Sequence, residues 1–379
     1  MLEKEEVNFY LLQKSHLPAS ARLGGVVDVI KDIGAMDSNN LEDTYFSLFL
    51  RVKGFDMAAT ERALYSDGGI ARVKGLKNYT QVVSGDLLAA IYTMTKNGRE
   101  SSLDSTLKSW GITGDEYSKL ERAIIGSLGG KEKTLGQLKN DLASISKGLE
   151  RGKGKKRERA MDVSVVANAM VDRWTLLRGG IGRVPGESPN RFSRFRDRFK
   201  GLSLDMDKDE ALTTLARRYV AGYGPVCADD LAWWLGVQQR DALAALKKLD
   251  GLETVSISGI PGTFYMFDPD SVGGSKPETS VVFLPKDDPY VKAYRNTARF
   301  VPDGHSVITK FGESASVVLL NGVVSGTWSI EREHMVEACV VRMFEGSRIY
   351  GLKDSLEKAA SEAGRFYTGT EIEVSIKGL

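Results

Sequence analysis

Residues able to do chemistry are few and scattered along this sequence. Two adjacent carboxylates, Asp287 and Asp288, are of the type that binds metal ions, but no third ligand lies close by in the chain. Because Pro289 follows them, the favoured interpretation is a turn in which a carboxylate caps a helix. None of the three histidines has sequence neighbours that suggest a catalytic triad or a metal site: His16, His305 and His334. We therefore expect no metal centre.

Cysteine and glycine patterns exclude further classes of site. Cys227 and Cys339 are far apart and belong to no CxxC or Cys/His cluster, which argues against a disulfide framework and a structural zinc site. The run GGIGR at 179–183 lacks the spacing and the preceding strand of a nucleotide-binding loop. No small-molecule cofactor is expected.

The bulk composition is that of a globular protein. The chain has 379 residues, of which 42% are hydrophobic and 27% charged, and this length allows about two to four domains. No apolar run reaches the roughly 18 residues of a membrane span, and the charged start MLEKEEVNFY lacks the apolar core of a secretion signal. We expect a cytoplasmic protein, and a monomer.

Positive charge is concentrated in the middle of the chain. Residues 151–200 carry fourteen Lys or Arg against five Asp or Glu, a net charge of +9, whereas the whole chain carries only +2. Such a segment favours an anionic partner. The alternative is a solvated loop together with one charged helix face.

Helical spacing of apolar residues predicts helices at 23–33, 44–52 and 57–64, followed by short strands at 70–74 and 79–83. Three helices closed by a hairpin form the winged-helix pattern. The same order returns later, with helices at 211–223, 228–235 and 241–249 before two strands within 253–267. The sequence therefore predicts at least two units of this kind.

Two other segments have recognisable patterns. Beyond a Gly/Ser/Pro linker at 271–278, strand-like runs follow at 281–284, 306–309, 317–320, 323–328 and 336–343. Together with the turn Asn321-Gly322 they predict a small β-barrel or curled sheet. In the basic segment, a helix over 191–200 would align Phe192, Phe195 and Phe199 beneath Arg194 and Arg198. Core contact is the favoured role for this aromatic stripe, with base stacking as the alternative.

Three stretches resemble the winged-helix DNA glycosylase family of the AlkZ type. They are LARRYVAGYGPVCADDLAWWLGV at 215–237, FLPKDDPYVKAYR at 283–295 and VVLLNGVVSGTWS at 317–329. RVKGFDMAATERALY at 51–65 fits more loosely. The resemblance implies an α+β fold and double-stranded DNA as partner. Three tandem winged helices at 1–95, 96–205 and 206–275 would precede a β-barrel-like domain at 276–379.

The same resemblance implies where catalysis takes place. Family members carry Gln-x-Gln or Gln-x-Asp just before the aromatic-rich second helix, and this position falls on Asp37-Ser38-Asn39. A glycosylase must hold a water molecule near C1′ and stabilise an oxocarbenium-like state. Asp37 can supply negative charge and Asn39 can orient the water. The alternative is that Asp37 and Ser38 only cap helices.

The resemblance also implies a DNA-binding first hairpin. Arg72, Lys74 and Lys77 surround its tip, and Gln81 stands where family members often have histidine. Basic hairpins of this kind enter a groove and hold phosphates. Further DNA-binding candidates come from the basic segment: Lys155, Lys156, Arg157, Arg194 and Arg198.

Three functions remain open at this point. The first is excision of alkylated or cross-linked purines from duplex DNA. The second is non-catalytic DNA binding, in repair or regulation, by a protein that has lost the catalytic glutamines. The third is an interaction role for the C-terminal domain. The basic segment favours the first two.

Overall fold

A computed structural model describes residues 1–147, 163–180, 190–273, 279–333, 336–347 and 351–378. The helices in these ranges are α1 (Lys4–Lys14), α2 (Val26–Ile33), α3 (Leu41–Arg51), α4 (Met57–Tyr65), α5 (Leu88–Trp110), α6 (Gly114–Leu128), α7 (Leu135–Asp141), α8 (Ala143–Lys147), α9 (Val163–Asp172), α10 (Phe195–Arg198), α11 (Lys208–Tyr223), α12 (Ala228–Leu235), α13 (Gln239–Lys247), α14 (Pro289–Lys292) and α15 (Lys353–Thr368). The fold class is thus mixed, because strands alternate with these helices.

The strands are β1 (Ala35–Asp37), β2 (Ile70–Lys74), β3 (Thr80–Ser84), β4 (Lys133–Thr134), β5 (Leu176–Arg178), β6 (Arg191–Arg194), β7 (Glu253–Ile257), β8 (Ile260–Met266), β9 (Val281–Leu284), β10 (Val317–Leu320), β11 (Val323–Glu333), β12 (Val336–Met343) and β13 (Glu373–Lys377). The α+β class expected from the sequence is confirmed. No helix in the described ranges combines the length and apolar character needed to cross a bilayer.

The chain divides into two compact units. Met1–Phe55 and Leu212–Leu379 form the first unit, and Asp56–Ala211 form the second. The first unit is therefore made from two separate stretches of sequence. The four domain limits expected from the sequence, and the count of three winged helices, stay predictions.

The helices predicted at 211–223, 228–235 and 241–249 are present as α11, α12 and α13. The strands β7 and β8 follow as an antiparallel hairpin. The core between these helices is aromatic: the rings of Tyr219 and Trp234 have centroids 5.0 Å apart, and Tyr223 is equally buried. Trp234 packs inward, whereas its neighbour Trp233 is only half-buried, as adjacent positions on a helix require.

The C-terminal strands form an open sheet. Its order is β13-β12-β11-β10-β9, so β9 and β13 are its edges and the described strands do not close into the barrel expected from the sequence. The reason is α15, which connects β12 to the parallel strand β13 and packs on the sheet through its buried Leu356 and Ala360. Because a helix covers this face, the sheet can bury its apolar side without closure.

The second unit contains the first hairpin and the basic segment. Strands β2 and β3 pair from Ile70↔Ser84 to Lys74↔Thr80, which confirms the predicted hairpin. The helix expected over 191–200 is wrong, because β6 pairs with both β4 and β5 before the short α10 begins. The aromatic side chains of this segment nevertheless lie in the core, as the favoured interpretation had it: Phe192, Phe195 and Phe199 are buried.

Candidate active site

Asp37 is the last residue of β1 and does not cap a helix. The chain leaves α2 at Gly34, whose φ of 78° lies in the left-handed region, and turns directly into the strand. Asn40 is the N-cap of α3, where its side chain accepts a hydrogen bond from the Glu42 amide at 2.9 Å. The capping interpretation of Asp37 and Ser38 is therefore wrong.

Instead, Asp37 forms a buried ion pair that the sequence reasoning missed. Its Oδ2 atom lies 2.8 Å from the Nζ atom of Lys292, and Nζ lies 2.9 Å from Oδ1 of Asp287. The Lys292 and Asp37 side chains are only 6% and 9% exposed. Burial by itself lowers the pKa of Lys292, but the two carboxylates outweigh it and raise the pKa above its ordinary value. The lysine is thus held as an ammonium group.

The turn before α14 fixes both partners of this lysine. Asp287 has a φ of 60°, and it exchanges hydrogen bonds with Ser314, from the Ser314 amide to its Oδ1 and from its own amide to the Ser314 hydroxyl. Asp288 is the N-cap of α14 and accepts from the Tyr290 amide at 2.9 Å. The cap expected at the paired carboxylates is confirmed.

A second, fully buried ion pair joins α3 to α14. Arg51 donates from Nη1 and Nη2 to both oxygens of Asp288, at 2.8 and 2.7 Å, and neither side chain is exposed to solvent. Ser47 also donates to Asp288, at 2.7 Å. Bidentate geometry of this kind fixes orientation as well as distance. It fixes α14, which carries Lys292, relative to α3, which follows the Asp37 segment.

The two other residues of the motif differ in exposure. Ser38 is buried, and its Oγ accepts a hydrogen bond from the Thr44 hydroxyl at 2.9 Å. Asn39 is exposed and lies two residues after Asp37. A carboxylate and a side-chain amide two residues apart can together hold and orient a water molecule. The roles of Asp37 and Asn39 remain predictions.

Asp43 on α3 is another partly buried carboxylate of this unit. Its Oδ1 accepts a hydrogen bond from the Tyr367 hydroxyl at 2.6 Å. Burial raises the pKa of Asp43, the Tyr367 hydrogen bond partly opposes this, and the negative charge of Asp287 adds to the rise. Ionised Asp43 therefore costs folding free energy.

We expect Asp43→Asn to stabilise the protein progressively more, relative to wild type, as pH rises above 3.8, the pKa of Asp43 in the unfolded chain. A carboxyl group whose pKa is raised in the folded state contributes most to stability when the pH is below its unfolded-state pKa of 3.8. That contribution is lost as the pH rises through the folded-state pKa. Asparagine keeps the acceptor for Tyr367 but does not titrate. Melting temperatures of both proteins at several pH values test this, and a constant difference would contradict it.

The basic hairpin in the second unit has partly buried cations around an ordered tip. Arg72, Lys74 and Lys77 are each half-buried. Gln81 is 4% exposed, and its Oε1 accepts a hydrogen bond from the Leu76 amide at 2.8 Å. The Lys74 carbonyl accepts from the Trp174 indole at 2.8 Å. Gln81 thus shapes the hairpin, while the cations stay candidates for phosphate contact.

The remaining DNA-binding candidates have different surroundings. Arg194 forms an ion pair with Asp197 at 2.6 Å. Arg198 donates to the backbone carbonyls of Ala63, Leu64, Asp67 and Ile70. Burial lowers its pKa to about 10, so it remains charged at neutral pH. These bonds give Arg198 a structural task. Lys155, Lys156 and Arg157 lie outside the described residues.

Comparison with known proteins places the chain in a class and then in a family. Its fold is similar to that of the Streptomyces sahachiroi DNA glycosylase AlkZ, with a TM-score of 0.73 at 17% sequence identity, over 99% of this chain and 100% of that one. The family model described as DNA glycosylase AlkZ-like matches residues 30–366, so the chain belongs to the AlkZ-like DNA glycosylase family. No curated protein matches it significantly in sequence.

Proposed function

We propose that this protein hydrolyses the N-glycosidic bond of alkylated or cross-linked purines in duplex DNA. Membership of a DNA glycosylase family supports DNA repair as the process. The observation that carries the catalytic part is the ion pair at the motif position, where Lys292 lies 2.8 Å from Asp37. A carboxylate held in place by a lysine counter-charge can act on a water molecule.

The chemistry follows from the leaving group. Alkylation makes the purine a good leaving group without an acid, so the enzyme must mainly stabilise the oxocarbenium-like sugar and supply the water. In this proposal Asp37 provides the negative charge and takes up the proton of the water. Asn39 orients that water through its exposed amide.

Incubation with duplex DNA that contains N7-methylguanine or an interstrand cross-link tests the proposal. Abasic sites, revealed by strand cleavage under mild alkali, are the expected product. An unmodified duplex of the same sequence is the matched control, since an unalkylated purine is a much poorer leaving group. Absence of abasic sites on both alkylated substrates would refute the activity.

A non-catalytic DNA-binding protein is the second candidate. The observation that favours it is the departure from the family motif, because Asp37 and Asn39 stand where the family pattern has glutamines or a glutamine and an aspartate. Under this proposal the Asp37–Lys292 pair serves stability alone. Duplex binding without excision would support it.

In either case we propose that the tandem winged helices predicted from the sequence bind duplex DNA, and that Arg72, Lys74 and Lys77 make the contacts. Further contacts would come from Arg194 and from the basic run with Lys155, Lys156 and Arg157. The second-unit residues Gln81 and Arg198 would contribute contacts or shape the binding surface. Contacts of this kind bind phosphates without reading sequence. A monomer in the cytoplasm, with no cofactor, remains the expected state.

Duplex affinity is expected to fall steeply with salt. If about five phosphates are neutralised, log K falls against log salt with a slope near −4.5. Replacing Arg72 and Lys77 by glutamine is expected to flatten the slope by about 2. Fluorescence anisotropy over a salt series measures this.

Lys358→Gln is the matched control for those two replacements. Lys358 is an exposed lysine on α15, and its loss should leave the slope unchanged. A salt-independent affinity of the wild type, or an equal flattening by Lys358→Gln, would contradict binding by the hairpin.

A further inference from the structure

Lys292 occupies an unusual place for a lysine. Its side chain is 6% exposed, and its ammonium group lies between carboxylates from two elements, Asp37 at the end of β1 and Asp287 in the turn before α14. An unpaired carboxylate in a nearly buried place is costly, so a charge at position 37 needs a counter-charge. A glutamine at this position, as in the family pattern, would need none.

We propose that Lys292 is a positioning residue, which pairs with the Asp37 carboxylate and holds it oriented for its action on water. This inference rests on the proposed function and deepens it by assigning a role to a residue outside the motif. Aspartate at position 37 and lysine at position 292 then form one functional unit.

The lysine is held from both ends. The backbone carbonyl of Lys292 accepts a hydrogen bond from the Trp233 indole at 3.1 Å. The turn in front of it is fixed by the Asp287–Ser314 hydrogen bonds and by the bidentate Arg51–Asp288 pair. Its Nζ atom therefore has a defined position, which a flexible surface lysine lacks.

The surroundings argue against a nucleophilic lysine. An amine attacks a sugar carbon only when it is neutral, and two carboxylates raise the pKa of Lys292. Charged or titratable groups around this cluster include Asp37, Asp287, Asp288, Arg51, Asp43 and Tyr223. Among these, Asp288 is neutralised by Arg51, so Lys292 serves mainly Asp37 and Asp287.

The test compares Lys292→Met with Lys286→Met in single-turnover excision. Lys286 belongs to the same segment but forms an exposed pair with Glu313, at 3.2 Å. Lys292→Met is expected to slow excision about tenfold to a hundredfold with little change in duplex affinity. The acid limb of its pH–rate profile should move to higher pH, because the variant lacks the positive charge beside the reacting carboxylate. Lys286→Met should change neither.

A thermal double-mutant cycle gives a second measurement that does not depend on activity. Lys292→Met should lower the melting temperature less in an Asp37→Asn background than in the wild type, because the unpaired charge at position 37 is then absent. Lys292→Arg should keep part of the rate, since it keeps the charge.

The outcomes are distinguishable. If wild type excises alkylated purines but Lys292→Met keeps the rate and the acid limb, and the melting shifts are additive, the positioning role is overturned. A borohydride-trapped DNA adduct that disappears in Lys292→Met would overturn it in favour of a nucleophilic lysine. If the wild type excises nothing, the proposed function fails first and the positioning role falls with it.

Discussion

Asp37→Asn is expected to lower the single-turnover excision rate about 10²- to 10⁴-fold. The substitution removes the charge that accepts a proton from water and stabilises the developing positive charge on the sugar. Asparagine can still accept a hydrogen bond from Lys292, so the fold around β1 should persist. Duplex affinity should stay the same or rise slightly, because a neutral amide repels phosphate less. Single-turnover excision and anisotropy on the same alkylated duplex measure both effects.

Two further variants frame that result. Asn39→Ala should cost less, about tenfold to a hundredfold, because it removes only the orientation of the water. Asp56→Asn is the matched control: Asp56 caps α4 by accepting from the Ala59 amide at 2.6 Å, and asparagine caps equally well. Unchanged excision by the Asp37→Asn protein would remove Asp37 from the mechanism.

Arg51→Met is expected to destabilise the first unit by about 3–5 kcal/mol. The change leaves Asp288 as a fully buried carboxylate whose arginine partner is gone. Ser47 and the Tyr290 amide still donate to Asp288, but these neutral donors do not replace a charge. Chemical denaturation, followed by circular dichroism, measures the loss.

Arg342→Met is the matched control for this second prediction. Arg342 pairs with Glu331 at 2.7 Å, but the two side chains are 46% and 31% exposed. Solvent screening limits such a pair to about 0–1 kcal/mol. If both variants lost the same small amount, the buried pair would not be the main connection between α3 and α14.

Local patterns were sufficient to predict much of the C-terminal sheet. The predicted runs at 281–284, 317–320 and 336–343 coincide with β9, β10 and β12, whereas the run predicted at 306–309 forms no strand. The turn between β10 and β11 has positive φ at both Asn321 and Gly322, as the Asn-Gly signal requires. These features depend on neighbours in sequence, which is why the sequence revealed them.

Closure of the sheet was not predictable in the same way. Whether edge strands meet depends on what covers the sheet, and here α15 packs on it. The segment 191–200 shows the same limit, because its spacing fits a helix although pairing with β4 and β5 makes it begin as a strand. Tertiary pairing outweighed local periodicity there.

The candidate site was half predictable. The family resemblance indicated Asp37 and Asn39, and the Asp-Asp-Pro order indicated the cap at Asp288. Lys292 gave no signal, because a lysine near the end of a short helix is usually exposed. Its role depends on a contact with a distant strand, which no local pattern encodes.

The division of the first unit into two stretches has a consequence for synthesis. The ribosome releases Met1–Phe55 and then the whole of Asp56–Ala211 before the rest of that unit exists. Arg51 therefore cannot pair with Asp288 until the residue 237 positions later has been synthesised. In the same way, the Leu2 amide cannot donate to the Ser256 carbonyl until that residue exists. During that interval the nascent amino-terminal helices expose apolar faces, a state in which chaperones bind. A stop codon before α14 would leave Arg51 and Asp37 without the charged partners that α14 and its turn supply.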